Sequence, residues 1–362
     1  MAADFQVDFV REQAEFSALL GDDGQVPEVS ILADAGTSGL PLYHEACIYH
    51  PPSRSVFVTS NQLPNHSDEQ SPATANKYVK LFRFYDTPSN PRVEEVTFNG
   101  IRGAMLNGGV NYDRNTLLFC AQGSKDPQDI SGIIKFSIPP PDSTGYAVES
   151  FIASFHGIPF NSVNDVIVHP KDGSIWFTDP HYGFHQDIRP QPQLPNQVYR
   201  FDPKTKSIRA IADNFTRPNG LCFSPDLKTL YVTDTGAIHG SSSVPIDPAG
   251  PSHIYAFDIV YPEGRPEPML CNRRLFAYAP GRFPDGIKCD MKGNVYSGCG
   301  DGIAVWNPSG VLIGTIKIPG GVANFCFGED GVIYACNETR MIRVKLHGNG
   351  VKGCLLEQLP VH

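Results

Sequence analysis

Two short patterns alternate along this chain, and their alternation constrains the fold more than any other feature. The first runs from a polar residue through a short apolar strand and a turn to a second apolar strand. It reads HEACIYHPPSRSVFVTS from His44, NGGVNYDRNTLLFCA from Asn107, NDVIVHPKDGSIWFTD from Asn164, NGLCFSPDLKTLYVTD from Asn219, DGIKCDMKGNVYSG from Asp285 and NFCFGEDGVIYAC from Asn324. The second is a single strand: LFRFYD from Leu81, IIKFSI from Ile133, VYRFDP from Val198, IYAFDI from Ile254, IAVWNP from Ile303 and MIRVKL from Met341. Anchored at Glu45, Asn107, Asn164, Asn219, Asp285 and Asn324, the units are spaced by 39 to 66 residues. Several short strands per unit at that period mean propeller blades, since a solenoid needs tighter repeats and a two-sheet sandwich does not repeat six times. The expected class is therefore all-β, a six-bladed β-propeller over residues 25–362, preceded by a short helical extension over residues 1–24. Within the extension, Phe9, Phe16, Leu19 and Leu20 share a helical face from Asp8 to Leu20, with Gly21 to end it. VPEVSILAD, from Val26, reads as an extra strand that pairs with the last blade and closes the ring. The 34 glycines and 32 prolines in 362 residues agree with turns rather than long helices.

Charge and motifs exclude several functions. The net charge of −9, with no basic block, disfavours nucleic acid as a partner. No run approaches ~18 apolar residues, so no membrane span is expected. The acidic opening MAADFQVDFVREQAEF is unlike a signal peptide, which points to a cytoplasmic protein, or a secreted one if a leader preceded this start. Nine cysteines form no CxxC pair, and Cys47, Cys120, Cys222 and Cys326 lie in apolar runs as small hydrophobes. No G-x-S-x-G elbow occurs, and no phosphate-binding loop is expected.

In a propeller the inner strands start near one axis, so the anchor positions should converge. Glu45, Asn107, Asn164, Asn219, Asp285 and Asn324 are all oxygen-bearing and include neither thiolate nor imidazole, which suits Ca²⁺, Mg²⁺ or Mn²⁺ better than Zn²⁺. Taken singly, the Asn-Gly and Asp-Gly pairs read as turns. Taken as a set, with Glu45 in the first position where it has no turn role, they read as shared ligands.

The runs NSVNDVIVHPKDGSIWFTDPHYGF, RPNGLCFSPDLKTLYVTDTG and FPDGIKCDMKGNVYSG resemble signature segments of the gluconolactonase family, also called the senescence marker protein and lactonohydrolase group, most similarly its fungal-type lactonohydrolases. The resemblance implies a six-bladed propeller with one divalent cation in its channel, Ca²⁺ first and Mg²⁺, Mn²⁺ or Zn²⁺ also open, that hydrolyses a sugar or other small lactone. It carries the metal ligands onto Glu45, Asn164, Asn219 and Asp285, with Asn107 contacting substrate. HEACIY stands where many relatives have Glu-Gly-Pro. Asp285 is then the first choice for the base that activates water. His44 is the second, although strand alternation puts its ring behind the Glu45 ligand. His181 and Tyr182, on the loop WFTDPHYGFH, are candidates to cap the mouth and choose substrate. Asp234 either backs the cation or caps a turn, and Trp176 and Trp306 belong to the core. Two rivals stand beside hydrolysis: a non-hydrolytic isomerase, condensing enzyme or cyclase of secondary metabolism on the same scaffold, and a propeller that only binds a protein.

Overall fold

The computed structural model describes residues 5–21, 25–64, 77–86, 92–98, 101, 104–140, 145–241, 244–348 and 350–359. Among the described residues six antiparallel sheets of four or five strands form the blades, each repeat beginning with its innermost strand. The inner strands are Glu45–His50, Leu106–Asn111, Val166–Val168, Pro218–Phe223, Ile287–Cys289 and Phe325–Phe327. In blades one to four the sheet is completed by the next three long strands of the chain, as in Ser55–Thr59, Leu81–Tyr85 and Arg92–Val96 of blade one. The repeat read from the sequence is thus the blade.

Blade six takes its outer strand from the other end of the chain. Glu28–Asp34 pairs antiparallel with Arg340–Lys345, as VPEVSILAD was expected to do. Blade five gains a strand that was not expected. Asp8–Arg11 pairs with Leu312–Lys317, so the helix expected from Asp8 to Leu20 is confined to Ala14–Leu20. The local reason is that DFVR holds the β-favouring pair Phe9 and Val10 and meets an open strand edge. Phe9 still packs on the expected cluster, but from a strand.

The described residues bury their apolar side chains in six clusters, one between each pair of neighbouring blades. Ile48 and Phe57 meet Leu117 and Phe119 between blades one and two, and Trp176 meets Leu221 and Leu230 between three and four. A blade is therefore covered on both faces. This is why its inner strands are buried at nearly every position rather than at alternate ones. Both tryptophans are core, with Trp176 and Trp306 buried. The stretch from Arg189 to Pro195 is anchored inward: the buried Arg189 guanidinium donates to the carbonyls of Asn161, Ser124, Asp129 and Phe160.

The N-terminal helix sits on the last of these clusters, between blades five and six. Phe16 is fully buried there, and Gly314 makes room for it, since a Cβ at that glycine would lie 2.3 Å from the Phe16 ring. Phe16→Ala should lower unfolding free energy by about 3–5 kcal/mol, measured by urea denaturation. A loss below about 1 kcal/mol would mean that the extension is not part of the folded unit.

Candidate active site

Glu45 begins its inner strand, Asn107 and Asn219 are second in theirs, and Asn164 and Asp285 lie two residues before theirs. All five line one cavity of about 120 Å³ on the propeller axis. Asn324, the sixth register position, does not line it. Its amide donates to Glu45 Oε2 at 2.8 Å, so it orients a carboxylate instead.

The Asn-Gly and Asp-Gly pairs are not turns. Gly108 and Gly220 lie within strands, and a Cβ at Gly108 would come within 2.5 Å of the Asn164 carbonyl, one at Gly220 within 2.5 Å of the Asp285 carbonyl. Gly286 likewise faces Asn324 Oδ1 at 2.3 Å. Where a glycine follows the anchor, it is what lets the next inner strand approach the axis. A hydroxyl on the second strand then fixes the neighbouring anchor: Thr59 donates to the Asn107 carbonyl at 3.2 Å, Thr178 to that of Asn219 at 2.8 Å and Thr233 to that of Asp285 at 2.9 Å. All three threonines are fully buried.

The cavity's charge is poorly compensated by the chain itself. Asn164 Oδ1 and Asp285 Oδ1 are buried without a hydrogen-bond partner, as is Oδ2 of Asp165, a third carboxylate beside the axis. Burial raises the Glu45 carboxyl to about 7 despite the neighbouring His44. Burial, reinforced by the Glu45 charge, pushes Asp285 well above the carboxylate range. Asp165 is also raised by burial, with Lys288 opposing. Orphaned oxygens among carboxylates and carboxamides fit a hard divalent cation. Glu45, Asn164, Asn219 and Asp285 are the residues that could hold it. Among the described residues no three His, Cys, Asp or Glu side chains form a metal cluster, so carboxamides are needed to complete the set.

His44 is not behind Glu45. Ala46 and Cys47 have φ of 62° and 53°, and the register with the second strand slips between Glu45 and Ile48. That bulge breaks the alternation, and His44 and Glu45 both line the cavity. His44 Nδ1 pairs with Glu338 Oε1 at 2.5 Å, and Asn61 donates to Glu338 Oε2 at 3.3 Å. Burial alone would lower the His44 pKa, but the Glu338 carboxylate, together with the charges of Glu45 and Asp285, raises the group to about 10. Sequence reasoning missed Glu338 because it follows the repeat pattern of the last blade and occupies no register position. Asp165 was missed because it stands directly behind an anchor, Asn164. Of the mouth candidates, Tyr182 lines the cavity, whereas the His181 ring bonds the Leu194 carbonyl at 2.8 Å and is not among its walls. Asp234 caps a loop: its two oxygens accept from the amides of Thr216 and Arg217 at 2.9 and 2.8 Å. Gln62 and Gln186 face each other across the mouth, 2.6 Å from amide nitrogen to oxygen.

Fold and cavity together define a six-bladed propeller with a polar, oxygen-lined axial site. Residues 103–333 match the description "SMP-30/Gluconolactonase/LRE-like region", and the chain belongs to that family. It is 32% identical over 219 residues to the lactonohydrolase oryL of Aspergillus oryzae, covering 57% of this chain and 48% of the relative. Against a gluconolactonase of Zymomonas mobilis it is 31% identical over 208 residues, 54% of each chain. The chain thus spans about half the length of these curated relatives. A solved gluconolactonase structure from Xanthomonas campestris superimposes with a TM-score of 0.69 at 26% identity, covering 95% of this chain and 96% of that one.

The threonine brace makes the site dependent on residues that never touch the cavity. Thr178→Val and Thr233→Val keep shape but leave the Asn219 or Asp285 carbonyl unpaired. Each should cost about 1–3 kcal/mol in denaturant unfolding. Unchanged stability in both would show that the anchors are held without them.

Proposed function

We propose that the protein is a metal-dependent lactonase that opens a sugar or other small lactone ring in the axial cavity. The observation that carries this reading is the convergence of Glu45, Asn164, Asn219 and Asp285, with partnerless buried oxygens on Asn164 and Asp285, on one polar cavity. The family relationship supports it.

Bound by those four residues, a divalent cation would polarise the ester carbonyl and stabilise the oxyanion. The chain supplies the rest. Asp285, at the cavity wall and ionised once a cation offsets the neighbouring Glu45 charge, would accept a proton from the attacking water. His44, held by Glu338 with a proton on each ring nitrogen, donates to the ring oxygen as its bond to the carbonyl carbon breaks. The product is the open hydroxy acid. Asn107 and Tyr182 line the same space and orient the substrate. Ser60, Asn61, Gln62, Gln122 and Gln186 give the wall neutral donors and acceptors, against Val79 and Ile238 as the aliphatic side chains among the described residues. Such a wall suits a hydroxyl-bearing ring better than a long acyl chain.

Metal analysis of the purified protein should find one divalent ion per chain, and a chelator should abolish the opening of a panel of small lactones. Asp285→Ala should reduce kcat at least about a hundredfold. Metal-free protein, or metal-loaded protein that opens no lactone, would overturn the reading in favour of non-hydrolytic ring chemistry. Glu338→Gln should lower kcat about tenfold with KM within about threefold, because it disturbs the orientation of His44 rather than substrate contact. An unchanged kcat would remove His44 from the mechanism.

A further inference from the structure

The channel has a second wall of chemistry at the depth of the inner strands, beyond the polar cavity. Cys47, Cys289, Cys326 and Cys354 line a smaller cavity of about 40 Å³. All nine cysteines are free thiols. Cys47 belongs to the inner strand of blade one and Cys326 to that of blade six, and their sulfurs are 3.6 Å apart. They therefore face each other across the junction where the ring closes.

We propose that Cys47 and Cys326 are an oxidisable pair that forms a reversible disulfide joining the first and last blades. Three observations carry this. The sulfurs are already in contact, on strands that pack side by side, and a bond needs them to close to about 2.05 Å. Both line the small cavity, which gives a small oxidant somewhere to stand. The link would also span 279 residues, so it would restrict the unfolded chain strongly while adding a covalent bond to a junction held by non-covalent contacts, the hydrogen bonds of Glu28–Asp34 to Arg340–Lys345 among them.

The register gives the link a bearing on the site. Cys47 follows Glu45 by two residues, and Cys326 follows Asn324 by two. The 2.8 Å hydrogen bond from Asn324 to Glu45 and the sulfur contact are thus successive ties between the same two strands. A covalent second tie would hold the first in register.

The chemistry balances with a peroxide as oxidant. One sulfur attacks a peroxide oxygen, the O–O bond breaks, and a sulfenic acid and one water form. The second thiol's sulfur attacks the first, the S–S bond forms, the S–O bond breaks, and a second water leaves. Two thiols lose two electrons in all, and one hydrogen peroxide becomes two waters.

Other thiols make the assignment specific. Cys222 and Cys289 are also 3.6 Å apart between blades four and five, but Cys222 does not line the cavity. Cys336 also interacts with Cys47 and is the competitor of Cys326 for it. The reduced protein, treated with hydrogen peroxide, alkylated in denaturant and digested without reductant, should yield a peptide pair joined through Cys47 and Cys326. That pair should appear before any Cys222–Cys289 pair and vanish with dithiothreitol. The oxidised protein should melt about 3 °C or more above the reduced form. Cys326→Ala should lose both effects, and because a core variant can fold poorly, the peptide map of the unmutated chain decides independently. Alkylation of both cysteines after peroxide, a Cys47–Cys336 pair, or oxidation of Cys47 to a sulfinic acid would each overturn the proposal. None of these readouts depends on lactone hydrolysis.

Discussion

Everything in this structure depends on how closely six strands can approach one axis. Each inner strand must bring a polar anchor to the centre while its backbone lies against the next blade. A side chain on the residue after the anchor would prevent this at Gly108, Gly220 and Gly286, where a Cβ would lie within 2.5 Å of an oxygen of the neighbouring blade. The dipeptides that look like turn signals are therefore contact points. They are followed by apolar residues because the same strands are covered on both faces by neighbouring blades.

Close approach creates the electrostatic problem that defines the site. Glu45, Asp165 and Asp285 are brought together where water is scarce, and His44 and Lys288 are the cations that oppose them. Burial pushes all three carboxyl groups upward, and oxygens on Asp165 and Asp285 lack any partner. A protein that assembles such a centre spends stability on it, and a bound cation is the economical source of compensation. The threonine braces explain how the centre persists. They tie the carbonyl of an anchor to the blade before it, so the position of the oxygen donors is set by the packing of entire blades.

The repeat, the six blades and the closing strand from Glu28 to Asp34 were legible because each depends on local pattern: short apolar runs, turn residues and a fixed register. Five of the six register positions line the cavity for the same reason. The exceptions have specific causes. Asn324 turns to Glu45 because its neighbour across the ring closure is a carboxylate. His44 enters the cavity because a bulge at Ala46 and Cys47 cancels the alternation on which its expected position rested. Asp8–Arg11 became a strand because blade five offered an edge, and no local pattern encodes an edge.

Sequence alone determined the architecture and the chemical type of the central donors, since hydrophobic periodicity and repeat register are properties of neighbouring residues. Tertiary structure decided which groups meet. Glu338 and His44 are 294 residues apart, Cys47 and Cys326 279 apart, and each pair lies across the junction that forms only when blade six packs against blade one. Ring closure turns the two ends of the sequence into neighbours, so the contacts made there are set by the geometry of the complete circle.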